Sequence, residues 1–193
     1  MSAEQKIDVP LPMTTDYFLE WSLNVRPHWE LHHGYPVQMS AESVAHGEVE
    51  RSIADACDAA LPFDGPCVAT MTRHGVNTVE NDVRIPDVHI DCAPDDDVRR
   101  STANEPVVVF EISVTSKDYD MGDKRKMYFE NPHVSHYVVV IPMERRVYHW
   151  KRGIAEPAVF LEGGTLELTP SPGISLSVAD FWVRLDRFRS RFS

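Results

Sequence analysis

The chain has 193 residues, 42% of them hydrophobic and 25% charged, with a formal net charge of −11. That length suits one domain with a real core, and no apolar run approaches the ~20 residues that span a bilayer. The acidic balance argues against a protein that grips nucleic acid over a broad surface, because that grip comes from Lys and Arg meeting phosphates. It leaves room for an enzyme whose own carboxylates hold a cation.

The first stretch, MSAEQKIDVPLPM, lacks an apolar signal-peptide core, so a cytoplasmic location is expected. Residues 14–23 predict a helix with Thr14 or Thr15 as N-cap and a partial apolar face of Phe18, Leu19 and Trp21. Residues 29–40, WELHHGYPVQMS, predict a hairpin with its bend at Gly34. Glu30 there falls on the face opposite Trp29 and Leu31, and His32 and His33 are expected to be solvated. Residues 42–61 give the clearest helix, with Val49, Ile53, Cys57 and Leu61 at three- and four-residue spacing. His46 lies near its start, where it either bonds locally or touches substrate.

A strand is expected over 66–71 and another over 81–92, with a parity shift at Pro86-Asp87 that signals a bulge or bend. Residues 93–105 read as a polar loop. Pro106 to Ile112 reads as a strand buried on both faces, and a helical segment with Lys124 and Lys126 follows it. HYVVVI (136–141) is a second buried strand and RVYHWK (146–151) a half-exposed return strand. Small edge strands at 158–161 and 166–168 and a C-terminal helix capped by Ser177 complete the chain. The four tryptophans are expected in the core, and the arginines of 184–191 on a solvated helix face. The order of elements implies one α/β domain, a mixed sheet with helices packed on it. The three cysteines, Cys57, Cys67 and Cys92, are an odd count without CxxC spacing, so reduced, mostly buried thiols are expected.

Three carboxylates are embedded in apolar strand sequence: Glu30 (W-E-L), Asp87 (I-P-D-V) and Glu111 (F-E-I). A carboxylate in such a strand costs several kcal/mol unless a cation or proton compensates it. One alone would read as a structural ion pair. Three, with lysines after the last, point to a shared site. Hard oxygen donors suit Mg²⁺ or Mn²⁺, and a nearby lysine would stabilise charge accumulating on a phosphate. That combination is phosphodiester hydrolysis chemistry.

P86-D87…E111-I112-S113 resembles the PD-(D/E)XK nuclease motif, with Ser113 at the usual lysine position. The chain as a whole resembles the Uma-type family of putative restriction endonucleases. The matching segments are E30-L31-H32-H33-G34 through M39-S40 with His46 after it, R84-I85-P86-D87-V88, P106 to I112 with T115-S116, and D120-M121-G122-D123-K124 with Tyr128. The resemblance covers roughly residues 14–152. It implies a restriction-endonuclease-like mixed β-sheet core flanked by helices over residues 1–193, with the strands and helix of 158–190 packed on it. It implies Glu30, Asp87, Glu111 and Lys124 as catalytic residues, with Asp87 and Glu111 on Mg²⁺ or Mn²⁺ and His46 as an accessory group. DNA would be the substrate, a homodimer the assembly, and no membrane is involved. Two other readings stay open: a catalytically weak binding or regulatory module on the same fold, and a hydrolase of small phosphoesters.

Overall fold

Thr14, extended and with its hydroxyl accepting from the Tyr17 N–H, starts helix α1 (Thr15–Ser22), as a polar cap should. The structure, a computed structural model, describes residues 11–26, 28–71, 74–94 and 101–192. Strands β1 (Trp29–His32) and β2 (Tyr35–Gln38) form the expected hairpin. Gly34 at its bend has φ +84°, and a Cβ there would meet Pro12 at 2.5 Å, so the position needs glycine on two counts. Ser43 caps helix α2 (Val44–Ala60) through the His46 N–H. Val49, Ile53 and Cys57 are its fully buried stripe.

Strands β3 (Val68–Met71), β4 (Val76–Asn77), β5 (Val83–Arg84) and β6 (Val88–Asp91) follow. The run over 81–92 is not one bent strand. β5 pairs with β1 and β4, whereas β6 pairs with β3 and with β7 (Pro106–Ile112). The chain changes sheets at Ile85–Asp87, which is the physical content of the parity shift. Part of the 93–105 loop, residues 95–100, lies outside the described residues. After β7 come α3 (Lys117–Tyr119), a π-helical turn (Asp120–Lys124) and α4 (Arg125–Glu130). Then β8 (His136–Ile141) runs parallel to β7, and β9 (Arg146–Lys151) and β10 (Ala158–Leu161) extend the same sheet. A ribbon of β11 (Thr165–Leu168) and β12 (Ile174–Ser177) precedes a 3₁₀ turn (Val178–Trp182) and α5 (Val183–Arg189). Ser177 stands before that turn without a side-chain capping bond.

The described strands make a six-stranded mixed sheet, β10-β9-β8-β7-β6-β3, a four-stranded antiparallel sheet, β2-β1-β5-β4, and the β11-β12 ribbon. The expected single sheet is thus three. All seven residues of β7 are buried. Val108, Phe110 and Ile112 pack on Val138, Val140, α2 and the C-terminal segment, including Trp182 and Leu185. Val109 sits among Tyr137, Val139, Trp150 and Tyr128 of α4. The two-residue period puts Glu111 on that second face, toward the helical connection that carries Lys124.

The cysteine expectation is corrected. Cys67 and Cys92 form a disulfide, and Cys57 is the buried free thiol. The β3–β6 register, with Val68 opposite Asp91, sets the next pair, 67 and 92, side by side across adjacent chains. Spacing along the sequence could not show this. Among the described residues no helix is long and apolar enough to cross a membrane.

Buried imidazoles are unusually numerous. His89, His136 and His149 are at most 3% exposed. His74 Nδ1 lies 3.1 Å from His89 Nε2, and His136 Nδ1 lies 2.9 Å from His149 Nε2. Burial lowers His89 and His149 to about 3 and His136 to about 4, assisted by His74, His136 and Lys151 respectively. Unfolded histidines titrate near 6.5, so below that pH the unfolded chain binds more protons than the folded one. Stability is expected to fall as pH drops from 6.5 toward 4, at up to about 1.4 kcal/mol per pH unit for each histidine. Thermal melts at pH 7 and pH 5 measure this. Equal melting temperatures would show that the imidazoles charge freely in the fold.

Candidate active site

Asp87 is placed by the sheet switch. It follows Pro86 in the crossing from β5 to β6, off the regular ladder, and its Oδ2 accepts the Ile112 N–H at 2.5 Å. That bond fixes Asp87 against the end of β7 beside Glu111. The Glu111 carboxylate accepts from the Tyr128 hydroxyl at 2.8 Å and from Lys124 Nζ at 2.7 Å. Lys124 closes the π-helical turn and Tyr128 follows one helical turn later, so both reach back to the same strand position. A π-turn rotates the residues after it relative to an α-helix and recurs at functional sites.

Glu30 enters from the other sheet. Its Oε1 accepts the Ile85 N–H at 3.0 Å, two residues before Asp87. His32 Nε2 lies 2.7 Å from Glu30 Oε2 and 2.5 Å from Arg84 Nη1. Arg84, fully buried, grips Asp82 with two nitrogens at 2.7 and 2.9 Å, and Tyr119 of α3 lies 3.1 Å from its Nη1. His32 is therefore part of a charged network, which corrects the expectation that it is solvated. His33 is exposed as expected. His46 extends from the first turn of α2, with Nε2 3.0 Å from Asp87 Oδ1 and 3.8 Å from Glu42.

Glu30, His46, Asp87, Glu111 and Lys124 all line one cavity of about 300 Å³, together with Glu42, Asp120 and Ser116. The structure brings every candidate residue to this wall. Sequence reading missed Glu42 and Asp120 as lining residues and Tyr128 as the donor behind Glu111. Asp120 and Tyr128 stood within the motif segment but had no assigned task, and Glu42 sat in polar sequence where solvation explained it. Asp120 is 4% exposed and accepts from the Ser116 hydroxyl at 2.5 Å. Ser113 is 1% exposed, and its hydroxyl has no hydrogen-bond partner among the described residues. Its N–H donates to the Val140 carbonyl instead of facing the cavity chemistry.

Five carboxylates thus share the cavity with Lys124 and His46. Burial and then the charges of Asp87 and Asp120 push Glu111 up to about 8, against the pull of Lys124. Burial opposes ionisation of Glu30 as well, but Lys124, His32, the Ile85 N–H and Arg84 outweigh it and hold Glu30 at about 2. Lys124 stays charged well above its ordinary range: burial opposes this, and Glu111, Glu30 and Asp87 overcome it. His46 is raised to about 9, its burial outweighed by the Asp87 carboxylate and then by Glu42 and Glu50. Glu111 is the group with too much negative charge around it. Buried oxygen donors in that condition fit a hard divalent cation, and Glu42, His46 and Asp87 carry ligand atoms all within 4.8 Å of one another.

A solved structure of a putative nuclease belonging to DUF820 from Anabaena variabilis ATCC 29413 superposes with a TM-score of 0.69. The two share 16% sequence identity over 90% of this chain and 99% of the other. That likeness fixes the fold as a mixed α/β architecture of the restriction-endonuclease-like kind. No curated protein matches the sequence. The Uma2 family, described as "Putative restriction endonuclease", matches residues 15–179. The match takes in β1, the start of α2, the sheet switch, β7 and the π-turn, all of which contribute to the cavity, and the chain belongs to that family.

Proposed function

We propose that the protein is a Mg²⁺- or Mn²⁺-dependent nuclease that hydrolyses phosphodiester bonds in DNA. The observation that carries this reading is the meeting of Asp87, Glu111 and Lys124 on one cavity wall, from three separate elements. Asp87 and Glu111 would hold the cation, as oxygen donors in a cavity with surplus negative charge. When bound, the cation would acidify an attacking water and polarise the scissile phosphorus.

The chain's own groups have distinct tasks. Lys124 presents a permanent ammonium to the phosphoryl oxygens as their charge grows. Glu30, kept ionised by its donors, holds that ammonium in the cavity. His46, 3.0 Å from Asp87 Oδ1, orients that carboxylate in the cavity. Water adds to phosphorus, the ester P–O bond breaks, and the leaving oxygen takes up a proton. In this reading residues 1–193 work as a single domain. Two copies form a homodimer, because a two-fold assembly matches the two strands of a duplex. The compartment is the cytoplasm.

Lys124→Met tests the assignment. Cleavage of a DNA duplex in Mn²⁺ is expected to fall by roughly 10²–10³-fold, the size of losing one charge-stabilising donor, while Mn²⁺ still binds because both carboxylates remain. An unchanged rate would remove Lys124 from the chemistry. The buried Ser113 at the usual lysine position favours a second reading, a binding module on the same fold. Wild-type protein that binds DNA and never cuts it in Mg²⁺ or Mn²⁺ would select that reading.

A further inference from the structure

An acidic chain that acts on DNA must hold phosphates somewhere, and its cavity is lined by carboxylates. Basic groups are gathered elsewhere. Between α2 and α5 lies a groove of about 290 Å³ lined by Arg51, Arg184, Arg187 and Arg191, with Phe188 and one carboxylate, Glu48. Two of these arginines are engaged: Arg184 Nε lies 2.8 Å from Asp55, and Arg51 lies 3.9 Å from Glu48. Arg187 and Arg191 are exposed and have no ion-pair partner among the described residues. An unpaired guanidinium in water is a low-cost phosphate ligand, because binding breaks no existing salt bridge.

The groove is tied to the cavity by α2. The first turn of that helix carries His46 into the cavity, and Glu48 and Arg51 carry it into the groove. Arg51 lies about 7.5 Å beyond His46 along the axis and on another side of a helix about 10 Å across. Phosphates recur about every 3.4 Å along each strand of a duplex. A duplex seated at the cavity extends past it and carries further phosphates for a second basic surface, whereas a dinucleotide does not.

We propose that the arginine groove between α2 and α5 binds the DNA phosphate backbone away from the cleaved bond. The proposal rests on the nuclease reading for its ligand, but it makes a separate claim about binding. A rival basic surface serves as its control: Lys126 and Lys151 line a second groove with Arg125 and Phe129 beside α4.

The test is fluorescence anisotropy of a labelled DNA duplex, without divalent metal, across a salt series. The proteins are wild type, Arg187→Ala/Arg191→Ala and Lys126→Ala/Lys151→Ala. Arg187, Arg191 and Lys126 are exposed and Lys151 is only half-buried, so both double variants are expected to melt with the wild type. The arginine variant should bind roughly tenfold more weakly, and its salt slope should shrink by about two. The lysine variant should bind as wild type. Unchanged binding by the arginine variant, loss in the lysine variant instead, or no binding by wild type would each overturn the proposal. Cleavage is scored separately in Mn²⁺. A wild type that binds through the arginines but never cuts would refute the nuclease reading and leave the groove standing.

Discussion

Asp87→Ala protein is expected to give no Mn²⁺ binding heat in titration calorimetry and to cut DNA at least roughly 10³-fold more slowly than wild type. The argument is geometric. Asp87 is held by the Ile112 N–H at Oδ2, which leaves Oδ1 on the cavity side, 3.0 Å from His46. No neighbour can replace it without moving the join between β5 and β6. Asp87→Asn separates charge from folding, because the amide oxygen can still accept from Ile112 while the negative charge is gone. Both variants should lose binding and cleavage together. Normal cleavage by either one would sink the metal assignment.

Glu111→Gln is expected to abolish cleavage and, at pH 7 without metal, to raise the melting temperature. Glu111 titrates at about 8 in the fold, against an ordinary 4.5. The folded state then holds this proton more tightly than the unfolded state. Its contribution to stability is complete below about 4.5 and is lost as pH rises toward 8. At pH 7 the cost of keeping this proton in the fold is already present, and glutamine, neutral at every pH, removes it while still accepting from Tyr128. Added Mg²⁺ should reverse the order, because wild type gains stability from binding by mass action and the variant does not. Melts of both proteins with and without Mg²⁺ at pH 7 decide the matter. A variant that melts lower without metal would mean that the Glu111–Lys124 pair stabilises more than its burial costs. The expected outcome is a site whose function opposes its own stability.

Much of the fold was legible because local chemistry and tertiary structure agree. Thr14 and Ser43 cap the helices they precede, Gly34 turns the hairpin, and the β-branched runs 106–112 and 136–141 became the paired central strands. The sheet count was not legible. Val83-Arg84 and Val88–Asp91 read as one interrupted strand, and only partner strands decide that they belong to different sheets. The Cys67–Cys92 disulfide and the engagement of His32 failed for the same reason. Each depends on which residue faces it across a register, and composition carries no such information.

The sequence by itself determined which carboxylates were out of place. Glu30, Asp87 and Glu111 sit among apolar residues, where an uncompensated charge is costly, so their unusual surroundings are written in the primary structure. It also determined the order of segments that marks the family. Tertiary structure alone decided that these groups share a cavity with Lys124, His46, Glu42 and Asp120. Side-chain direction set that outcome: the parity of β7 turned Glu111 toward α4, the π-turn aimed Lys124 back at it, and the sheet switch lifted Asp87 off its ladder. Likewise, Arg51 and Arg187 are distant in the chain and meet only because α5 packs on α2. Long-range packing creates both the charge surplus of the cavity and the arginine groove, since neither exists in any single segment.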